Sequence, residues 1–386
     1  MVAESIRLRS PAEKRMAGYL ARIATGPELS KDLLFDEAKD GMELILRGEV
    51  DAVQSAVFLI ALRMKRESHD ELSGALAALR GQSDRAVAAV DDLVDMAEPY
   101  NGYVRHLPAA PFIPAVLAAC GVPCVLHGVR ESGPKWGLTP HRILHAAGVA
   151  LDLSAAQAAE QVDQVGWAYV DQAQICPQLA GLARLRTLIV KRPCLSLLEK
   201  LMQPISARGR NHLWVGYAHT GYPEILERLA RSVDYDSMLA VRGVESGVLT
   251  SLTGRVRGAR YLEDDPLEPV EIAPSEAIGP AQTRAPALPS NGEQAVGKPA
   301  SGPPESELLE SWASEAARRG RAALAGEAGA THNMLVLGAA TVLRHLTWVE
   351  NLAQGAERAR TVIASGEALR RFEAVGSTGV SSNDAR

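Results

Sequence analysis

Aromatic residues are scarce in this chain: Phe, Trp and Tyr make up 4% of its 386 residues. The core must therefore be built mostly from Ala, Leu and Val, which favours helices and fully buried strands. Cysteine is scarce as well. Cys120, Cys124, Cys176 and Cys194 are too few for a disulfide framework in a chain of this length. The opening stretch MVAESIRLRSPAEKRM is polar and has no apolar segment, so nothing resembles a signal peptide and the expected location is the cytoplasm. One long stretch, residues 107–126, carries no charge, but Pro108, Pro111, Pro114, Gly121 and Pro123 interrupt it. That punctuation fits a short buried helix followed by a strand better than a membrane span. Nor is there an excess of positive charge. A net charge of −5 excludes a wholly basic, nucleic-acid-coating protein, though not a local basic face.

The charge that is present is unevenly spread. Lys and Arg outnumber Asp and Glu between residues 101 and 260, although the whole chain is acidic. Between Arg184 and Arg210 the basic residues Arg184, Arg186, Lys191, Arg192, Lys200, Arg208 and Arg210 stand against Glu199 alone. Such asymmetry points to an anionic partner for the middle of the chain.

Length suggests two or three domains. The first eighty or so residues read as short helices with clear punctuation. Ser10-Pro11-Ala12-Glu13 is an N-cap, a proline at the first helical position and a capping-box glutamate, and that helix stops at Gly26. A second helix runs over 36–47. A third follows Asp51, and its AVQSAVFLIALRM is apolar nearly all round and predicts a buried helix. A fourth begins at Ser68 with Glu71 as its capping partner and ends at Gly81. Beyond residue 91, short apolar runs at 123–126, 187–190, 213–217 and 238–241 alternate with helical stretches at 139–147, 155–165 and 223–232. That alternation predicts an α/β domain with a mostly parallel central sheet. The expected division is a helical domain over 1–84 and an α/β domain over 85–375. A Pro/Ala/Gly-rich insertion over 263–307 is expected to be flexible and residues 376–386 a disordered tail. Amphipathic helices return over 308–325, 333–346 and 352–363.

Several separate segments carry one family resemblance. The stretch LLFDEAKDGMELILRGEVDAVQSAVFLIALRMKRESHDELSGALAALR resembles the N-terminal helical domain of glycosyltransferase family 3, the group of anthranilate phosphoribosyltransferase and its nucleoside-phosphorylase relatives. Residues 125–130 (VLHGVR) resemble the family's KHGNR segment, and Cys176-Pro177 falls where the family has His-Pro. Arg186 and Arg192 lie at the spacing of two family arginines, Gln203-Pro204 stands for Asn-Pro, and residues 324–372 are similar to the closing helices. The resemblance implies a small N-terminal helical domain packed on a larger α/β domain, the nucleoside phosphorylase/phosphoribosyltransferase class. It also implies a homodimer through the helical part.

The family's catalytic groups are a different matter. Where its GTGGD loop lets backbone N–H groups approach a pyrophosphate, this chain has Glu98-Pro99-Tyr100-Asn101-Gly102. Where the family offers Asn-x-Ser-Thr, it has Pro108-Ala109-Ala110-Pro111. The lysine and asparagine of KHGNR are replaced by Leu126 and Val129, and the Asp-Glu pair that would hold Mg²⁺ falls at Val248-Leu249. Asn101, Gly102, His127, Gly128, Arg130, Lys135 and Arg186, the last at the family's anthranilate-carboxylate position, remain as anion- or phosphate-binding candidates. No catalytic residue and no metal ligand set is assigned. His141 and His145 lie four apart, but no third ligand accompanies them.

A divergent branch of the family is more similar still, with its Tyr-Asn-Gly, His-Gly-Val and Cys-Pro, and that resemblance implies nucleic-acid binding of low sequence preference. Arg184, Arg186, Lys191, Arg192, Lys200, Arg208 and Arg210 are its candidate contacts, with Tyr100, Tyr103, Trp136, Trp214 and Tyr217 as stacking surfaces. The expectation is an anthranilate phosphoribosyltransferase-like homodimer with a degraded phosphoribosyl pyrophosphate/Mg site that binds anions, nucleic acid foremost, and needs no cofactor. The alternative is an active phosphoribosyl or glycosyl transferase, which would need Mg²⁺.

Overall fold

Ser10 caps the first helix as its sequence requires: its hydroxyl accepts the Glu13 N–H, and the Glu13 carboxylate accepts the Ser10 N–H. The computed structural model describes residues 10–26, 28–289 and 305–376. Four helices, α1 (Pro11–Ile23), α2 (Phe35–Leu46), α3 (Ala52–Lys65) and α4 (His69–Gly81), form the body of one compact unit. Helices α2 and α4 approach closely because Gly74 faces α2; a Cβ there would lie 2.2 Å from the Phe35 carbonyl oxygen. Glu71 ties the unit together. Fully buried, its carboxylate accepts the N–H groups of Leu33 (2.9 Å) and Ser68 (2.8 Å) and pairs with Lys65 at 2.7 Å.

Two expectations for this unit need correcting. Helix α3 is not buried all round: Phe58, Leu59 and Leu62 are inside, but Val53, Val57 and Met64 face outward. The apolar run could not show which part of its circumference other helices would cover. Of residues 187–190, expected as a strand, 187–189 belong to the helix Ala183–Ile189 and Val190 caps it. That helix turns Arg186 inward to a bidentate pair with Glu199, at 2.7 and 3.0 Å. The segment Cys176–Met202 therefore joins the helical unit instead of the α/β domain. Arg63 of α3 donates to the Arg192 carbonyl, and Arg80 of α4 to the Met202 carbonyl.

The second unit takes Arg85–Ile175 and the chain from Gln203 onward. Its strands are β1 (Ala86–Ala88), β2 (Asp92–Ala97), β3 (Cys124–Gly128), β4 (Trp167–Asp171), β5 (Ile205–Ala207), β6 (Arg210–Gly216), β7 (Ser237–Val241), β8 (Val256–Leu262) and β9 (Glu268–Ile272). β1 and β5 pair with each other, and the other seven form one sheet in the order β4-β3-β2-β6-β7-β8-β9. From β4 to β7 neighbours are parallel; β8 and β9 add antiparallel. Strand order reverses between β2 and β6, so the carboxyl ends of these strands mark the crevice where α/β sheets place ligands. Residues 107–126 hold the buried helix Ile113–Ala119 and then β3, and no helix among the described residues is long and apolar enough to cross a membrane.

The stretch expected as a flexible insertion is largely built into this unit. Glu268–Ile272 is the edge strand β9, where Pro269 is tolerated because an edge residue need not donate on both sides. Residues beyond the helix Pro274–Ile278 are pinned by Leu107 N–H on the Pro286 carbonyl, Leu252 N–H on the Arg284 carbonyl and Arg319 on the Ala287 carbonyl. Residues 290–304 and the tail from 377 lie outside the described residues. The closing helices Ser306–Leu324, Ala330–His345 and Leu352–Ala364 form, followed by Glu367–Ala374.

Replacing Glu71 with Ala leaves the Leu33 and Ser68 N–H groups without their acceptor and the buried Lys65 ammonium with Asp32 as its remaining carboxylate partner. The expected loss is about 3 kcal/mol of unfolding free energy in urea titration. A loss below about 1 kcal/mol would show that water replaces the carboxylate there.

Candidate functional site

At the carboxyl ends of β2, β3 and β7, three loops meet, and glycines set how closely. Gly102 has φ +69°, and a Cβ on it would sit 2.5 Å from the Gly137 carbonyl carbon. The reverse also holds, since a Cβ on Gly137 would lie 2.5 Å from the Tyr103 nitrogen. Tyr103 and Leu138 bridge the two loops through paired backbone hydrogen bonds of 2.9 and 2.7 Å. Gly102 thus serves loop-to-loop contact, where the sequence pattern suggested approach to a phosphate. The Asn101 carbonyl likewise accepts the Gly137 N–H at 2.9 Å.

Two carboxylates occupy this junction. Glu98, 1% exposed, follows β2; one of its oxygens accepts the Val248 N–H at 2.8 Å and the other accepts the Tyr103 hydroxyl. Gly247 must be glycine here, because a Cβ would fall 1.8 Å from that hydroxyl oxygen. Burial and then the Glu98 charge push the Tyr103 phenol well above its ordinary pKa. Glu245 enters from the loop after β7. Its Oε1 accepts the Arg105 N–H at 2.8 Å and lies 3.0 Å from His106 Nδ1, while its Oε2 lies 2.5 Å from Lys135 Nζ. The Val104 N–H reaches both oxygens, at 3.3 and 3.2 Å. Lys135 also stands over the Tyr103 ring, 5.5 Å from its centroid. Glu245 and Ser246 hold φ of +50° and +71°, left-handed values that cost non-glycine residues of order 1 kcal/mol each. The cluster sustains that strain.

Beside it, a cavity of about 10 Å³ is lined by Tyr103, His106, Pro108, Ala110, Leu249 and Pro286 among others. That is scarcely room for one water.

His127 is not at the surface of this site. Its imidazole is fully buried, with Nδ1 2.5 Å from the Tyr100 hydroxyl and Nε2 2.8 Å from Asp95 Oδ1, the latter without the alignment of a hydrogen bond. The Tyr235 hydroxyl donates to the other Asp95 oxygen. This chain of polar groups is internal, so His127 is no anion ligand in this conformation. Gly128 is buried against the Tyr169 hydroxyl. Arg130 is exposed, its carbonyl accepting from Thr139. Lys135 is the one charged candidate of this unit that joins the cluster. Sequence reasoning passed over His106 and the Val104 and Arg105 amides, because backbone donors leave no residue-type signal.

The basic candidates divide. Arg186 (7% exposed) and Lys200 (7%) are buried in the helical unit, Arg186 on Glu199. Arg184, Lys191 and Arg192 are exposed there. In the α/β unit Arg208 is exposed, while Arg210 pairs with Asp92 at 2.9 Å in a concavity of about 350 Å³ that also displays Asp236, Asp264 and Asp265. Arg210 therefore sits among carboxylates and not on a basic face. Of the proposed stacking aromatics, Tyr100, Tyr103 and Trp214 are core residues; Trp136 and Tyr217 are half-buried. His141 faces Asp171 at 3.3 Å, and no group of three or more metal-ligating side chains occurs among the described residues.

A small helical unit and a larger α/β unit whose mostly parallel strands end in a cluster of loops make up the fold class of the phosphoribosyltransferase-like glycosyl transferases. Residues 17–83 match the helical bundle domain of the glycosyl transferase family. Anthranilate phosphoribosyltransferase of Thermomicrobium roseum is 30% identical over 365 residues, covering 93% of this chain and 95% of the relative. That of Methylobacterium radiotolerans is 29% identical over 91% of this chain and 92% of its own. The enzyme of Thermus thermophilus superposes with a TM-score of 0.68 at 21% identity, over 95% of this chain and 98% of its own. That of Saccharomyces cerevisiae, solved in complex with phosphoribosyl pyrophosphate and Mg, gives 0.71 at 16%, over 94% and 96%. The chain belongs to the anthranilate phosphoribosyltransferase family. Its resemblance to a nucleic-acid-binding branch rests on the residues alone.

Burial raises the Glu245 carboxyl, but His106 and Lys135 outweigh it and hold the group at about 2. A depressed pKa contributes stability that is complete above the unfolded value of ~4.3 and is lost as pH falls toward the folded value. Glu245→Gln should lower stability at pH 7 by about 2 kcal/mol and flatten the acid limb between pH ~4.5 and ~2. Urea unfolding across that range checks it; parallel curves for the two proteins would refute the role given to Glu245.

Proposed function

We propose that this family member has lost ordinary phosphoribosyl transfer and acts as an anion-binding homodimer, with nucleic acid of low sequence preference as its partner. One observation carries the first part. Where phosphoribosyl pyrophosphate and Mg²⁺ would be held, the crevice contains the protein's own Glu98 and Glu245, both saturated by donors. A hard cation needs free carboxylate oxygens, and Val248 and Leu249 supply none. Glu98 also sets negative charge where a pyrophosphate would need N–H donors. The residues do not fit the ion.

For nucleic acid, the supporting surface is narrower than the sequence suggested. Arg184, Lys191 and Arg192 are exposed on the helical unit, together with Arg63 of its α3 and Arg66, which caps that helix. For self-association, the support is an open apolar groove of about 500 Å³ on the same unit, lined by Ile23, Val57, Ile60, Met64 and Ile189. Met64 is 74% exposed, and monomeric proteins rarely leave such a patch uncovered.

Calorimetry with phosphoribosyl pyrophosphate and Mg²⁺ should show no Mg²⁺-dependent binding. Tight binding would favour the rival reading, a working transferase, which the 30% identity to a curated enzyme supports. In gel shifts, affinity for mixed-sequence nucleic acid should fall steeply with salt. Arg184→Ala, Lys191→Ala and Arg192→Ala together should reduce it regardless of sequence, while Arg208→Ala and Arg210→Ala should not. A flat salt response ends the nucleic-acid reading. Met64→Glu should convert dimer to monomer in sedimentation; an unchanged mass would place self-association elsewhere.

A further inference from the structure

At the amino ends of the central strands, away from the loop junction, a row of polar side chains runs from the sheet into a helix. His212 Nε2 lies 2.9 Å from Asp92 Oδ1, and His212 Nδ1 lies 2.8 Å from Ser237 Oγ. The same hydroxyl lies 3.0 Å from His345 Nε2. Asp92 opens β2, His212 is in β6, Ser237 opens β7, and His345 is the last residue of the helix Ala330–His345. The row therefore ties the end of that helix to neighbouring strands of the sheet. His212, Ser237 and His345 are all buried.

The hydrogens of this row can be counted. Ser237 has a single hydroxyl hydrogen for two histidines, so it donates to one ring and accepts from the other. With Asp92 ionised and both rings neutral, one order satisfies every contact. His212 Nε2–H donates to Asp92, the Ser237 hydroxyl donates to His212 Nδ1, and His345 Nε2–H donates to Ser237. His345 Nδ1, buried with no hydrogen-bond partner among the described residues, is then a bare lone pair. A proton on His212 destroys this order. Its Nδ1–H must then donate to Ser237, and the displaced hydroxyl hydrogen meets the hydrogen already on His345 Nε2. Moving the latter to Nδ1 leaves a buried N–H with no acceptor, which is costly. A proton on His345 does the same directly.

We propose that Asp92, His212, Ser237 and His345 form a pH-sensitive latch. With both rings neutral it fastens the end of the helix Ala330–His345 to the sheet. Protonation of the histidines opens the Ser237–His345 contact and loosens the turn that follows. That turn, Leu346, Thr347 and Trp348, walls the concavity of about 350 Å³, and Thr347 holds a left-handed φ of +60°. The surrounding charges pull both ways. Asp92 and Asp236 favour a proton on His212 and Arg210 opposes it, while His212 and Arg260, itself paired with Glu268, oppose one on His345. Glu263, Asp264 and Asp265 line the concavity with His212. Burial outweighs the favourable charges, holding His212 below the ordinary imidazole value and His345 at about 3. Both folded values lie below the unfolded ~6.5, so the opened form binds more protons. The latch is at full strength well above pH ~6.5 and weakens as pH falls below it.

His332 is also held low by burial, so global stability does not single out the row and a local readout is needed. Amide hydrogen exchange supplies one. The Leu346, Thr347 and Trp348 N–H groups bond to the Val342, Arg344 and Leu343 carbonyls. After correction for intrinsic rates, their protection in the wild type should fall at least about tenfold between pH ~7.5 and ~5.5. The double variant His212→Gln/His345→Gln has nothing to protonate in the row, and its carboxamides can donate or accept at Ser237. The fall should vanish there. Flat protection in the wild type, or an undiminished fall in the folded double variant, overturns the proposal. If that variant does not fold, nitrogen-15 titration of the wild-type imidazoles decides instead. The 346–348 amide resonances should shift over the pH interval in which His212 protonates, and a His212 titration that leaves them unmoved refutes the latch.

Discussion

The α/β unit turns on two carboxylates held away from water at the ends of its parallel strands. A buried carboxylate is tolerable only when its oxygens are saturated by donors. Glu98 meets that condition with Tyr103 and Val248, and Glu245 meets it with Lys135, His106 and two backbone amides. These partners are drawn from the loops after β2, β3 and β7. The loops after β2, β3 and β7 are thereby locked together, and glycines at 102, 137 and 247 are needed because side chains would collide at that junction. In α/β sheets this end is ordinarily left open to a ligand. Here the protein's own groups satisfy one another at that end, and the cavity beside them measures about 10 Å³.

The helical unit applies the same rule with different residues. Arg186 buries its guanidinium against Glu199, and Lys65 buries its ammonium against Glu71. Both pairs fix the arrangement of helices more than they add to stability, because desolvation offsets much of the attraction. The exposed residues of this unit include apolar Met64, Val57 and Leu188 and basic Arg63, Arg184 and Arg192. The proposed self-association and anion binding would draw on the apolar and the basic residues respectively.

Much of the fold could be read along the chain. Ser10 and Ser68, each followed by a capping glutamate, marked helix starts that the structure keeps, and 124–128, 213–216 and 238–241 are strands close to where apolar runs placed them. The failures have a common cause. Residues 187–190 are mostly β-branched or apolar, yet 187–189 belong to a helix that carries Arg186 inward to Glu199. Residues 268–272 lie in a stretch whose composition suggested disorder, yet they pair along β8 because the edge of a sheet accepts proline and alternating charge. Long-range partners decided both cases.

The site divides along the same line. The sequence by itself determined the family, the absence of the Asp-Glu pair and the glycine loop, and the presence of Lys135 near the crevice, because these are matters of residue type and order. Only the tertiary structure decided that His127 is internal, that Arg186 and Arg210 are already paired with carboxylates, and that Glu245 sits among the amides of Val104 and Arg105. The reason is physical. A charged side chain is available to a ligand only if no nearer partner neutralises it, and the nearest partner here lies as far as 141 positions away in the chain.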